Sequence, residues 1–138
     1  MEDKTYSRLI DSVKAFARDG AVKYRVSLPN KHFDPSSYPY LEVKDFRLDP
    51  RTNGTEDSRH IKGLLQITVV DEKNVGIDRA NELAEEVISA YPVGLNLFND
   101  PICVTVPDQA SKRPYLGGDK DIKIPVIIPY QSFISTDV

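Results

Sequence analysis

Two stretches of the chain repeat apolar residues at the spacing of an amphipathic helix. In the first, residues 4–19, apolar side chains recur at intervals of three and four positions, and Gly20 follows as a natural stop. The second runs from 77 to 91, has charged residues on its opposite side, and is followed by Pro92 and Gly94. The pattern therefore predicts two amphipathic helices.

Elsewhere apolar and polar residues alternate, which is typical of strands with one buried face. The clearest alternating segments are 41–43, 65–69, 102–106 and 122–128. A weaker strand covers residues 23–28. The order helix, weak strand, strand, strand, helix, strand, strand predicts an α+β fold, in which two helices pack on one face of a mainly antiparallel sheet of four to five strands.

The last predicted strand contains Pro125 and Pro129, which have no amide hydrogen to donate to a neighbouring strand. We therefore expect this strand to be an edge strand or only partly paired. Its alternation predicts which side chains face the core and which face outward: inward Ile124, Val126 and Ile128, outward Pro125, Ile127 and Pro129. An apolar Ile127 between two prolines is a candidate interface patch, because prolines block uncontrolled strand pairing.

Two long polar connections, residues 49–60 and 107–120, separate the predicted elements. Loops of this length without regular structure are uncommon in compact domains and often serve binding. We expect both to lack regular structure and to be mobile in the isolated protein, because they are poor in apolar residues. A third irregular stretch covers residues 29–39.

Length and composition narrow the class of protein. A chain of 138 residues has room for one domain, spanning residues 1–138, and no apolar run is long enough to cross a bilayer or to form a signal sequence. The single cysteine, Cys103, excludes an internal disulfide and fits a reducing cytoplasm. These features favour a soluble protein made in the cytoplasm.

The net charge of −3 argues against general attraction to nucleic acid. Four basic residues stand out in or near the polar connections: Arg59, Lys62, Lys112 and Arg113. Basic pairs on an acidic chain more often form salt bridges between subunits, or stay solvated, than bind phosphates. We assign these four, with Pro125, Ile127 and Pro129, to a candidate interface, and expect no specific nucleic-acid binding.

The sequence contains no recognisable catalytic, metal-binding or cofactor-binding motif. His32 and His60 lack the spacing of metal ligands, and Cys103 has no neighbouring histidine to activate it. The acids of the second helix, Asp78, Glu82, Glu85 and Glu86, are more typical of a solvated helix surface than of a cation site. We predict no enzymatic activity, and keep a small metal-dependent enzyme as the less favoured alternative.

The ordered set of elements resembles the tail terminator proteins and related minor tail proteins of long-tailed bacteriophages and prophages. The matching features are Leu9, Ile10, Val13 and Phe16 in the first helix, the 39–43 and 63–69 segments, Gly76 with Ala80, Leu83 and Ala84, the Val93–Gly94 step, and the 124–130 strand. They cover the chain from about residue 6 to residue 130. Each motif is short and structural, so the resemblance lies in their order.

The resemblance implies a structural role in virion assembly without cofactors. In this family, subunits form a ring, typically of six, which caps the head-proximal end of the tail tube, stops its polymerisation and provides the surface for head–tail joining. The implied partners are further copies of the chain, the tail tube protein and a head-completion or connector protein, in the neck region of the virion. Another head–tail joining or completion protein is the alternative within the same setting.

Overall fold

The computed structural model describes residues 4–19, 25–27, 39–47, 61–73, 77–99, 102–118 and 121–134. Its elements, in chain order, are α1 (Lys4–Asp19), β1 (Arg25–Ser27), β2 (Tyr40–Arg47), β3 (Ile61–Glu72), α2 (Asp78–Ala90), β4 (Asn96–Asn99), β5 (Ile102–Thr105), β6 (Ser111–Lys112), β7 (Leu116–Gly117) and β8 (Asp121–Ile134). Both predicted helices and all five predicted strands are confirmed. The predicted loop at 49–60, and 29–38 of the third irregular stretch, lie outside the described residues.

The strands form one sheet in the order β1-β2-β3-β8-β5-β4, with β6 and β7 also paired to β8. All pairs are antiparallel except β1 with β2. The α+β class is confirmed, but four to five strands is too few, since eight strand segments occur among the described residues. The strands missed, β4, β6 and β7, are two to four residues long, too short to show an alternating pattern.

The prediction that the last strand lies at a sheet edge is wrong. β8 lies inside the sheet, and its residues from Asp121 to Ser132 pair with β3 from Glu72 to Ile61. On its other side the pairing is interrupted. There β7 pairs at Ile122 and Lys123, β6 at Val126 and Ile127, and β5 from Gln131 onward. The alternative expectation, partial pairing, therefore describes this second side.

The two prolines fall in the gaps between these short partners. The carbonyl of Pro125 accepts a hydrogen bond of 2.8 Å from the amide of Arg113, on the side away from β3. Because the amide and carbonyl of one strand residue point to the same side, the missing donor of Pro125 also points away from β3. Pro129, four residues on, has the same orientation by strand alternation. Neither proline removes a hydrogen bond from the long β3–β8 ladder.

The 107–120 segment is not the structureless loop that its polarity predicts. It contains β6 and β7, and Ala110 is buried in the core. The apolar anchors were missed because a single buried alanine and two-residue strands leave no periodic pattern. Within its described part, 107–118, this segment lies along β8.

Both helices pack on one face of the sheet and share one cluster of buried residues. The cluster includes Leu9, Ile10 and Val13 of α1, Ala80, Leu83, Ala84 and Val87 of α2, and the inward residues of β2, β3, β5 and β8. The predicted faces of β8 are confirmed: Ile124, Val126 and Ile128 are buried, while Pro125, Ile127 and Pro129 are partly exposed. The opposite face of the sheet, called the outer face below, carries these three residues.

Candidate subunit interface

A row of apolar side chains crosses the outer face of the sheet. Phe46 of β2 lies opposite Leu64 of β3, and Leu64 lies opposite Pro129 of β8. Phe46 is 48% exposed and Leu64 37% exposed, although both are large apolar residues. Ile127, partly buried, lies on the same face beside this row, opposite Gln66. This arrangement is typical of a surface that another protein covers, because large exposed apolar side chains side by side favour burial.

A second apolar row lies further along β8 on the same face. Phe98 of β4 lies opposite Cys103 of β5, which lies opposite Phe133 of β8. Both phenylalanines are exposed, and Cys103 is half-buried. The outer face therefore carries aromatic side chains on both sides of Gln131.

Sequence patterning alone did not identify Phe46, Leu64, Phe98 and Phe133 as surface residues. One signal was present: the doublets Leu64–Leu65 and Ile127–Ile128 must place one apolar residue on each face of a strand. The doublet Leu97–Phe98 is a signal of the same kind, but β4 is only four residues long and shows no alternating pattern that identifies it as a strand.

The structure does not bring the four predicted basic residues into one patch. Lys62 lies exposed on the outer face, opposite Gln131. Lys112 instead lies on the helix side of the sheet, where its ammonium group is 2.9 Å from the Glu85 carboxylate of α2. The side chain of Arg113 is exposed, and Arg59 lies outside the described residues.

A small cavity of about 270 Å³ opens where the pairing of β8 is interrupted at Pro129. Strand β5 ends at Thr105, and the chain pairs with β8 again at Ser111 of β6, which lies opposite Ile127. The bend between Thr105 and Ser111 forms one wall of the cavity. The lining includes Lys62, Leu64, Pro107, Asp108, Pro129 and Gln131. The cavity is smaller than the roughly 300 Å³ at which small-molecule sites begin, and its size suits a single side chain.

At the same end of the sheet, but on the helix side, Tyr130 and Asp45 form a polar contact. The Tyr130 hydroxyl donates a hydrogen bond of 2.6 Å to Asp45 Oδ1, and Arg47 Nε donates one of 3.2 Å to Asp45 Oδ2. Burial, together with the hydrogen bond to and negative charge of Asp45, raises the pKa of Tyr130 well above its ordinary value. A tyrosine held protonated in this way stabilises the fold and is not poised for proton transfer.

The residues weighed as catalytic or metal-binding candidates do not form a site within the described ranges. His32 and His60 lie outside those ranges, while Asp78, Glu82, Glu85 and Glu86 are exposed along α2. No group of three or more potential metal ligands occurs in the part of the chain that the structure describes. Among the helices described, none is long and apolar enough to span a membrane.

Comparison with known proteins identifies the class. The family model described as phage tail terminator protein matches residues 8–130, and the chain belongs to this family. It is thereby a structural protein of the phage tail. None of the curated proteins matches the chain. A solved structure superposes with a TM-score of 0.84 and 21% sequence identity, covering 99% of both chains, which shows a shared fold.

Proposed function

We propose that the chain is a tail terminator in the full sense: six copies form a ring that caps the head-proximal end of the tail tube. The ring stops tube polymerisation and provides the surface to which the head joins. The partners are other copies of the chain, the tail tube protein and a head-completion or connector protein. The place of action is the neck region of the virion, after synthesis in the host cytoplasm.

The observation that carries this proposal is the apolar outer face in a member of a tail-protein family. Phe46, Leu64 and Pro129 are adjacent by register and leave large apolar surface open to solvent. Their strands are held by the long β3–β8 ladder, so the surface is presented on a rigid support. A rigid, partly apolar surface suits the permanent contacts of an assembled particle.

The basic residues and the proline strand fit the same role. Lys62 lies on the outer face with Pro125, Ile127 and Pro129. We assign its positive charge to an acidic group of the partner protein, and this ion pair fixes how the partner is positioned on the apolar surface. Arg59, Lys112 and Arg113 are assigned by the same proposal to the rim of the contacts. For Lys112 this contact competes with the ion pair to Glu85.

Deletion of the gene from its phage tests the proposal, with tails inspected by electron microscopy. Loss of a terminator leaves tails of uncontrolled, excessive length. Loss of another head–tail completion protein, the alternative role, leaves tails of normal length that fail to join heads. Joined tails of normal length after deletion would contradict both roles.

A further inference from the structure

Tyr115 and Leu116 are among the most exposed large apolar side chains of the described residues, and they lie on a short tip that runs from the end of β6 into the start of β7. Tyr115 is 57% exposed and Leu116 60% exposed, and both follow the exposed Arg113. We define the tip as residues 113–116. Its main chain is anchored at both ends, because β6 and β7 each pair with β8. The tip therefore presents an aromatic ring, an aliphatic side chain and a cation from a fixed base.

The cavity at Pro129 has the complementary features. Its walls include the apolar side chains of Leu64, Pro107 and Pro129, together with one carboxylate, that of Asp108, and one ammonium group, that of Lys62. Asp108 and Arg113 have no ion-pair partner among the described residues. A volume of about 270 Å³ is suited to one large side chain.

The tip cannot reach the cavity of its own subunit. Leu116 pairs with Lys123, and Pro129 lies six residues further along β8. At about 3.3 Å per residue the separation is on the order of 20 Å, far beyond the reach of a tyrosine side chain. A contact between the two must join different copies of the chain.

We propose that the 113–116 tip of one copy inserts Tyr115 into the Pro129 cavity of the next copy, with Arg113 of the first paired to Asp108 of the second. The occupant of the cavity is thus a second copy of this chain. Because tip and cavity are different surfaces at different positions along β8, the contact is head-to-tail, which is the kind of contact that generates rings. This inference rests on the proposed ring and names the contact that builds it.

Cysteine cross-linking between two variants tests the contact, in a Cys103→Ala background. One variant carries Tyr115→Cys, the other Leu64→Cys, and their mixture is oxidised both as concentrated free protein and on tail tubes. We expect a disulfide-linked dimer in at least one setting. Val93→Cys, at a position 54% exposed and outside the tip, is the matched control and should not link to Leu64→Cys. Absence of the 115–64 link in both settings, or equal linking by the control, would overturn the proposal.

Charge exchange gives a second, independent readout. Asp108→Arg alone and Arg113→Asp alone should each weaken association about tenfold or more, whereas the double variant should recover most of it, since the pair is rebuilt with reversed charge. No recovery in the double variant would contradict the proposed pairing.

Tail length measured with the Cys103→Ala protein separates the two proposals. If tails are capped but the 115–64 link is absent, only the inferred contact fails. If tails are not capped, the proposed function fails.

Discussion

The hydroxyl of Tyr130 lies 2.6 Å from the carboxylate of Asp45, two strands away, and the residue between them is Gly63. A side chain at position 63 would occupy the space that the tyrosine ring fills. A Cβ atom there would lie 2.7 Å from the Tyr130 hydroxyl and 2.8 Å from the Phe46 carbonyl. The contact between β8 and β2 therefore depends on a glycine in β3.

Gly63→Ala should destabilise the protein by about 1–3 kcal/mol, because the added methyl group meets backbone as well as side-chain atoms. Gly117→Ala is the matched control, since a Cβ atom at that position meets nothing within 4 Å. Urea unfolding of both variants measures the effect. Equal midpoints for Gly63→Ala and the parent would show that the packing at β3 is looser than described.

Arg79 and Asp71 tie the start of α2 to the end of β3. The fully buried Asp71 carboxylate accepts hydrogen bonds of 2.9 and 2.5 Å from the Arg79 guanidinium, and one of 2.7 Å from the Glu72 amide. Arg79→Met should cost about 1–3 kcal/mol, because it leaves a buried carboxylate short of donors. Lys112→Met, which removes the more exposed ion pair to Glu85, should cost less than about 1 kcal/mol. The reverse ranking in thermal melts would contradict this assignment.

Two buried tyrosines should make the fold sensitive to alkali. Burial raises the pKa of Tyr91 to about 12, from an ordinary value of about 10, and the pKa of Tyr130 is raised as well. Ser12 donates its only hydroxyl proton to the Leu9 carbonyl, so Tyr91 must be the donor in its 2.7 Å hydrogen bond with Ser12. Deprotonation of Tyr91 therefore removes that hydrogen bond.

Because the folded-state pKa of Tyr91 lies above the unfolded-state value, its contribution to stability is complete below about pH 10 and is lost as the pH rises through about 12. Urea unfolding measured across this range should show falling stability. Tyr91→Phe should flatten the fall, while being less stable than the parent at neutral pH. A variant that falls as steeply as the parent would show that other groups control alkaline unfolding.

Neighbouring residues of β8 should respond in opposite ways to the same substitution. Val126→Asp should unfold the protein, because it buries an unpaired charge in the core. Ile127→Asp should leave a folded monomer that fails to assemble, because Ile127 lies on the partly exposed outer face. Thermal melts and native mass measurements compare the two. If Ile127→Asp melts like Val126→Asp, or assembles like the parent, the outer face at this position is not an interface.

Charge reversal of Lys62 tests the electrostatic part of the interface. Lys62→Glu should keep the fold, since the side chain is exposed on the outer face, and should slow assembly onto the tail. Lys14→Glu is the control, because Lys14 is also exposed but lies on α1, on the opposite side of the sheet from the outer face. Tail length and the amount of ring formed measure assembly. If Lys62→Glu assembles as well as the parent by both measures, Lys62 is only a solvated surface residue.

The helices and longer strands were predictable because each repeats its pattern over several residues. The position of β8 inside the sheet was not predictable, because Pro125 and Pro129 indicate an edge strand. An inner strand can hold both prolines only because strand pairing on one side of β8 is interrupted. That interruption depends on β6 and β7, whose two-residue pairings leave no sequence signal. The apolar outer face was only partly predicted, since Ile127 stood out between prolines but Phe46 and Leu64 did not. The division of the chain, one domain over residues 1–138, stays a prediction.

The most direct test of the central claim is the length of tail tubes grown from purified tube protein with and without this chain. We predict that adding the chain arrests elongation and that a label on the chain marks one end of each tube. Tubes of unchanged length, or a label spread along their walls, would contradict a role as the tail terminator.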